Sequence, residues 1–430
     1  GPLLIQGVLL LTCVALAMLL ANLPLTKELY HSILETNIRV HLFSDNGTVD
    51  VLFPRDMTIE KFINDILMVV FFFTVGLEIK REVSSGELSS VKKALLPIIA
   101  AFGGVIAPAV IYTVINHGTL AASGWGIPTA TDIAFAVCIL SMLGDKVPVS
   151  LKVFLTALAI ADDLIAILVV ALFYGGNINL ELLGMAALVI IVTLLLRKVG
   201  EKKMFPYIVC AFLVWVLFYY SGIHATMSGV VMAFLIPSAP RYNKAQYVRK
   251  RNHYIAMLEK YEGIDNESFP NGPQKHCLRR LEKVAHGTMD MSYRVEHSLS
   301  PWVNFLIMPI FALANAGVEI SDASYFNVFN YSPELGSVSM GIFLGLLLGK
   351  PLGITLFSWI AIKLKIGAMP DKANWALFFA VACLGGIGFT MSIFVDTLSF
   401  ANAPADIMMH LRDAGKIAVL LGSVFSGVND

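Results

Sequence analysis

Four ionisable residues stand inside long apolar runs: Asp132, Asp162, Asp163 and Lys350. A charge at that depth costs several kcal/mol and is retained where it does work. Adjacent residues on an α-helix point about 100° apart, so Asp162 and Asp163 need separate partners, and Lys350 can neutralise only one of them. The remaining carboxylate, with Asp132, must then be protonated or hold a bound cation, because an unpaired charge away from water is not tolerated. A site that holds either a proton or a cation, but not neither, has the chemistry of proton-coupled exchange. A static ion-pair network that only locks helices is the plainer reading. It leaves excess negative charge over a single lysine.

Such residues need apolar elements to carry them. The chain has 430 residues, 57% hydrophobic and 14% charged, with a mean hydropathy of +0.74. That is too little charge to cover a soluble surface, and at about 20 residues per crossing the apolar residues suffice for about a dozen crossings. Apolar runs fall at 3–22, 62–79, 94–115, 126–143, 151–174, 182–196, 205–219, 223–236, 303–317, 338–362, 375–395 and 407–428. They lack strand alternation, and a bilayer admits only helices or closed barrels. The fold class is therefore an all-α polytopic membrane protein with twelve transmembrane helices, one domain over 1–430.

Lysine and arginine equal aspartate and glutamate at 31 each, which leaves no basic excess for a nucleic-acid partner. The cysteines, Cys13, Cys138, Cys210, Cys277 and Cys383, are scattered and form no disulfide framework or zinc spacing. Residues 3–22 follow no basic start or cleavable site and read as a retained first span. Basic residues gather after the second, sixth, eighth and tenth runs, including Lys80, Arg81, Arg197, Lys198 and Lys363, and are missing after the third, fifth, seventh, ninth and eleventh. Positive loops stay cytoplasmic, so both termini are expected there.

Two runs are interrupted. Gly124, Gly126 and Pro128 precede Asp132 in the fourth, and Gly385, Gly386 and Gly388 break the eleventh. Unwound backbone at membrane depth is tolerated where it lines a cavity, and breaks in corresponding halves point to an ion site at a repeat interface. If spans three to five and ten to twelve are inverted repeats, each break lies in the central helix of its triplet. Asp132 near positive half-helix ends and Lys350 near negative ends would compensate the dipoles.

Two loops stand apart. Residues 37–53 hold β-rich arms around Asp45-Asn46-Gly47, a hairpin signal. An isolated hairpin is marginal, so pairing with a second copy is expected. Residues 239–290 form a polar cytoplasmic insertion with helical stretches at 244–261 and 274–285. Glu78, Arg81 and Glu82 at the end of the second span, with Glu296 and His297 at the start of the ninth, can form a titratable cluster at a cytoplasmic funnel. Ordinary capping of helix ends explains their spacing equally well. Asn64 and Asp65 read as a further polar lining, and His224 as an interfacial histidine.

The runs TATDIAFA (129–136), ALAIADDL (157–164), FTVGLEIKRE (73–82), GKPLG (349–353) and GGIGFTMSIF (385–394) closely resemble the bacterial NhaA-type sodium/proton antiporters. NhaA-type antiporters are themselves among the transporters in which such broken helices are known. The resemblance implies a twelve-helix inverted-repeat antiporter of the bacterial inner membrane. It would export sodium or lithium for a larger number of protons, electrogenically, under pH control and without a cofactor. It also implies that Asp163 is the main cation ligand and proton carrier, with sodium held by Asp163 and Asp162, and that Asp162 pairs with Lys350. Asp132 and Thr131 would mark the crossing of the broken helices. Glu78, Arg81, Glu82, Glu296 and His297 would form the pH-responsive region, and the hairpin the homodimer contact. The long eighth loop and Tyr293, where a basic residue is common, depart from the family.

Three rivals remain. A passive cation channel needs a continuous pore ringed by charge. An intramembrane aspartyl protease needs a G-x-G-D pattern that this sequence lacks. A sodium symporter on the same scaffold is nearest, and the paired Asp162 and Asp163 argue for proton exchange instead.

Overall fold

The computed structural model describes residues 2–38, 41–44, 47–50, 57–143, 147–176, 178–201, 203–240, 242–260, 272–320, 326–400 and 403–428. Among them, eight helices are long and apolar enough to cross a bilayer, or ten if each of two bent pairs is one span. The eight are α1 (Pro2–Asn22), α3 (Ile59–Ser84), α4 (Val91–Ile115), α6 (Val149–Phe173), α7 (Leu180–Val199), α8 (Met204–Ser221), α12 (Met291–Asn315) and α13 (Val338–Lys363). Their continuous apolar sequence drives burial, and helical hydrogen bonding satisfies every backbone group without water.

The bent pairs fall at the two glycine-bearing breaks, the first of which also carries Pro128. A 3-10 segment, Leu120–Thr129, meets α5 (Ile133–Met142) at 41°. Similarly, α14 (Trp375–Leu384) meets α15 (Phe389–Ser399) at 50°. Shorter or more polar elements complete the chain: α2 (Lys27–Glu35), α9 (Met227–Leu235), α10 (Lys244–Lys260), α11 (Gly272–Thr288) and α16 (Ala405–Val428). Neither α9 nor α16 is among the eight. The first is only nine residues long, and the second carries His410, Arg412, Asp413 and Lys416.

Strands β1 (His41–Ser44) and β2 (Gly47–Asp50) pair antiparallel, with Leu42 opposite Val49 and Phe43 opposite Thr48. The turn residues Asp45 and Asn46 lie outside the described residues, as do 261–271 between α10 and α11.

The most buried span is α6. Leu151, Leu155, Leu158, Ile160 and Ile167 join a core shared with α4, α13, α14 and α15. A separate apolar cluster, built on Ala186, Cys210, Val214 and Phe218, unites α7, α8 and α9. Outward leucines such as Leu188 and Leu195 on α7 are exposed, as a lipid-facing surface requires.

Lys350 is positioned by close contact between α4 and α13. A side chain at Gly103 would strike the Gly353 carbonyl oxygen, and one at Gly353 would strike that of Gly103, so the two backbones touch where neither carries a Cβ. Gly349 lies against Pro108, and Gly345 against Pro128. A π-helical turn, Gly345–Gly349, immediately precedes Lys350; such turns re-aim the side chains that follow and recur at functional sites.

Because backbone meets backbone there, Gly353→Val cannot be relieved by a rotamer change and is expected to cost about 1–3 kcal/mol or more. Thermal unfolding of the detergent-solubilised protein should show a midpoint several degrees lower. Gly184→Ala in α7, with nothing within 4 Å, should be neutral or slightly stabilising. Equal losses for both would refute the packing assignment.

Candidate ion-binding site

The two breaks hydrogen-bond to each other. The Asp132 amide donates to the Ile387 carbonyl at 2.7 Å and the Ser392 hydroxyl to the Ile127 carbonyl at 2.8 Å, and the Thr131 hydroxyl lies 2.9 Å from the Gly385 carbonyl. Backbone groups released by unwinding thus find partners across the crossing.

Asp132 sits between two helix N-termini. Its Oδ1 accepts from the Phe135 amide at 3.2 Å and so caps α5. Its Oδ2 accepts from the Thr390 amide at 3.1 Å and from the Thr390 hydroxyl, at the start of α15. The positive ends of both half-helices therefore face one carboxylate.

Lys350 takes the opposite polarity. It is fully buried; its Nζ lies 2.8 Å from Asp162 Oδ2 and donates to the Thr129 carbonyl at 2.5 Å, the negative end of the 3-10 segment. Asp162, also fully buried, accepts from the Thr131 hydroxyl at 2.6 Å. A buried pair offsets its desolvation only with such added hydrogen bonds.

Asp163 points elsewhere. Its Oδ1 is buried and has no hydrogen-bond partner among the described residues, and it lines a cavity of about 440 Å³. The same cavity is lined by Asp132, Thr390, Glu78, Arg81, Glu296 and His297. At about 30 Å³ per water this volume holds on the order of ten waters. Asp162 does not line the cavity, so the two adjacent carboxylates do not converge. Among the described residues no three His, Cys, Asp or Glu side chains group tightly enough to hold a metal ion.

At the far end of the cavity, Arg81 bonds Glu296 and also Glu82, the latter at 3.2 Å. The His297 ring stacks on Tyr293 at 5.9 Å and 4°. Four of the five cluster residues thus line the cavity, and Glu82 reaches it through Arg81. Lys80 turns away, donating to the Ala233, Phe234 and Ile236 carbonyls at the end of α9, as a helix C-cap does. Asn64 pairs reciprocally with Asn315 at 3.0 and 2.9 Å, while the Asp65 carbonyl accepts from the Trp215 indole at 3.2 Å. The His224 ring meets the Tyr174 carbonyl at 2.5 Å.

The count of four deeply placed charges needs correction. Asp396 on α15 is fully buried, and neither carboxylate oxygen has a hydrogen-bond partner among the described residues. It packs against Gly415 of α16, where Lys416 and Arg412 act on it through space. The apolar run drawn to residue 395 stops one position short of it. Thr390 was visible in the sequence only as part of a motif, and its place on Asp132 needs the crossing.

The Na+/H+ antiporter 1 family model matches residues 4–429. The Na+/H+ antiporter NhaA of Oleidesulfovibrio alaskensis is 41% identical over 422 residues, covering 98% of this chain and 89% of that protein. The namesake in Sulfurimonas denitrificans is 42% identical over 422 residues, 98% and 90% of the two chains. That of Porphyromonas gingivalis is 38% identical over 426 residues, 96% and 89%.

Replacing Lys350 by methionine strands Asp162 in the core, a change worth about 3–5 kcal/mol where a buried pair loses one member. Thermal melting should show a large drop for Lys350→Met and substantial recovery in the Lys350→Met/Asp162→Asn double variant. Additive losses would mean that the two side chains are not coupled.

Proposed function

The chain belongs to the Na+/H+ antiporter 1 family, and from that membership we propose that it is an electrogenic sodium or lithium exporter driven by proton entry. It is a multi-pass membrane transporter and not an enzyme. The observation that carries the reading is the cavity joining Glu78, Arg81, Glu296 and His297 to Asp132 and Asp163. It offers cytoplasmic ions a wet path to a carboxylate whose Oδ1 lacks a protein partner.

In this mechanism sodium entering the cavity displaces the proton on Asp163. Sodium is a hard cation suited to oxygen ligands, and carboxylate, the Thr131 hydroxyl and freed carbonyls supply them. Asp162 joins the ligand set once its pair with Lys350 opens. The crossed segments then rock to expose the site outward, and protons return the carrier. Glu78, Arg81, Glu82, Glu296 and His297 set the pH at which this begins. The relatives named NhaA support the sodium and proton assignment, and the sodium and protons are cargo, with no cofactor.

The finer architecture belongs to the same proposal. The ten candidate spans become twelve crossings when α9 and α16 are included, and spans three to five and ten to twelve form inverted repeats about the crossing. Both termini face the cytoplasm of a bacterial inner membrane, and the β1–β2 ribbon joins two copies.

Sodium-induced collapse of a pH gradient in proteoliposomes tests the assignment. Asp163→Asn should abolish it, and retained exchange would reject the site. The proton-to-sodium ratio of Lys350→Gln vesicles decides whether Lys350 also carries a proton, since unchanged coupling removes it as a carrier. Glu296→Gln deletes a negative charge beside the path and leaves the Arg81 charge less compensated, which disfavours protons in the cavity. The pH dependence of exchange should therefore move toward acid with the maximal rate retained; an unmoved profile would remove Glu296 from regulation.

A further inference from the structure

The polar insertion between α9 and α12 carries a feature that ion exchange does not use. Helices α10 and α11 together contain nine lysines and arginines against two glutamates. They pack side by side, and the Tyr242 amide donates to the Gly287 carbonyl at 2.9 Å, tying the start of α10 to the end of α11. The Lys250 ammonium lies 4.7 Å over the Tyr242 ring. Between the helices lies a cleft of about 620 Å³ lined by Lys250, Arg279, Arg280, Lys283, His286 and Arg294. Among the described residues Glu282 is the single acid on its wall.

This cleft does not stand alone. Next to it, an apolar crevice of about 690 Å³ is bounded by Val69 and Phe73 of α3, Met204 and Ile208 of α8, and Val295 and Leu299 of α12. His286, Met291 and Arg294 line both, so the cationic and apolar spaces share a wall. Arg294 Nε is buried without a hydrogen-bond partner among the described residues. The junction is fixed to the spans: Met291 packs with Tyr207 and Ile236, and Ser238 meets Ser292 at 3.2 Å. Met291 is also where a candidate span begins, which puts the cleft at the level of the lipid headgroups.

We propose that the α10–α11 cleft and the adjoining crevice form one binding site for an anionic phospholipid, with the headgroup phosphate among Lys250, Arg279, Arg280 and Arg294 and an acyl chain in the crevice. A basic cleft alone would accept any phosphate. The apolar extension, opening beside lipid-facing Ile208, favours the lipid over a free anion, and basic residues at this level attract anionic lipid in particular. The occupied site clamps the insertion to α3, α8 and α12.

Native mass spectrometry of the full chain in detergent tests this with phosphatidylglycerol, phosphatidylcholine and inorganic phosphate as separate probes. Phosphatidylglycerol should bind at least about tenfold more tightly than phosphatidylcholine, as expected for two or three basic contacts, and the preference should shrink as salt rises. Lys250→Gln/Arg279→Gln/Arg280→Gln should erase the preference, while Lys250→Arg/Arg279→Lys/Arg280→Lys retains it. Ser298→Trp, which narrows the crevice, should weaken phosphatidylglycerol several-fold and leave inorganic phosphate unchanged. None of these residues lines the Asp163 cavity, so sodium-proton exchange in phosphatidylcholine vesicles should persist and certify the fold. Equal wild-type affinity for the two lipids, or a preference surviving the triple neutralisation, overturns the proposal. Inorganic phosphate binding as tightly as phosphatidylglycerol, indifferent to Ser298→Trp, overturns it in favour of a free-anion site.

Discussion

One lysine is buried among more carboxylates than it can neutralise, and that imbalance organises the centre of the molecule. Lys350 is spent on Asp162 and on the Thr129 carbonyl. Its neighbour along α6, rotated by one helical step, is left facing a cavity with its Oδ1 lacking a hydrogen-bond partner among the described residues. A carboxylate so placed must recruit a mobile positive charge, either H+ or a metal cation from solution. In the proposed mechanism the exchange chemistry is a consequence of charge arithmetic together with helical geometry.

The broken helices serve that arithmetic. Asp132 lies where two N-terminal half-helix ends meet, and Lys350 lies at a carbonyl end, so side-chain charge and backbone dipole cancel locally. The cancellation is supported by small residues at a distance from the ions: Gly103 and Gly353 let α4 and α13 close to backbone contact, and that contact brings the lysine to the crossing. The site is held by packing between spans.

Much of this was legible in the sequence because the bilayer makes charge conspicuous. Asp132, Asp162, Asp163 and Lys350 stood out against apolar runs, and glycine clusters marked both breaks, with Pro128 at the first. The partner of each aspartate was less accessible. Helical spacing separates Asp162 from Asp163 but does not say which one meets Lys350, since that depends on how α13 crosses α6. Lys80 and Arg81 are neighbours of the same charge, yet one caps α9 and the other joins the cavity. Asp396 escaped because the eleventh run ends at residue 395, one position before it. Thr390 gained its significance only from a contact spanning more than half the chain.

The central claim is that cation and proton compete for the carboxylate that Lys350 leaves unpaired. Calorimetric titration of sodium into the purified protein, repeated in two buffers of different ionisation enthalpy, counts the protons released as sodium binds. The account predicts release in the wild type and its loss, together with sodium binding, in Asp163→Asn. Sodium binding without proton release, or release that survives in Asp163→Asn, would contradict it.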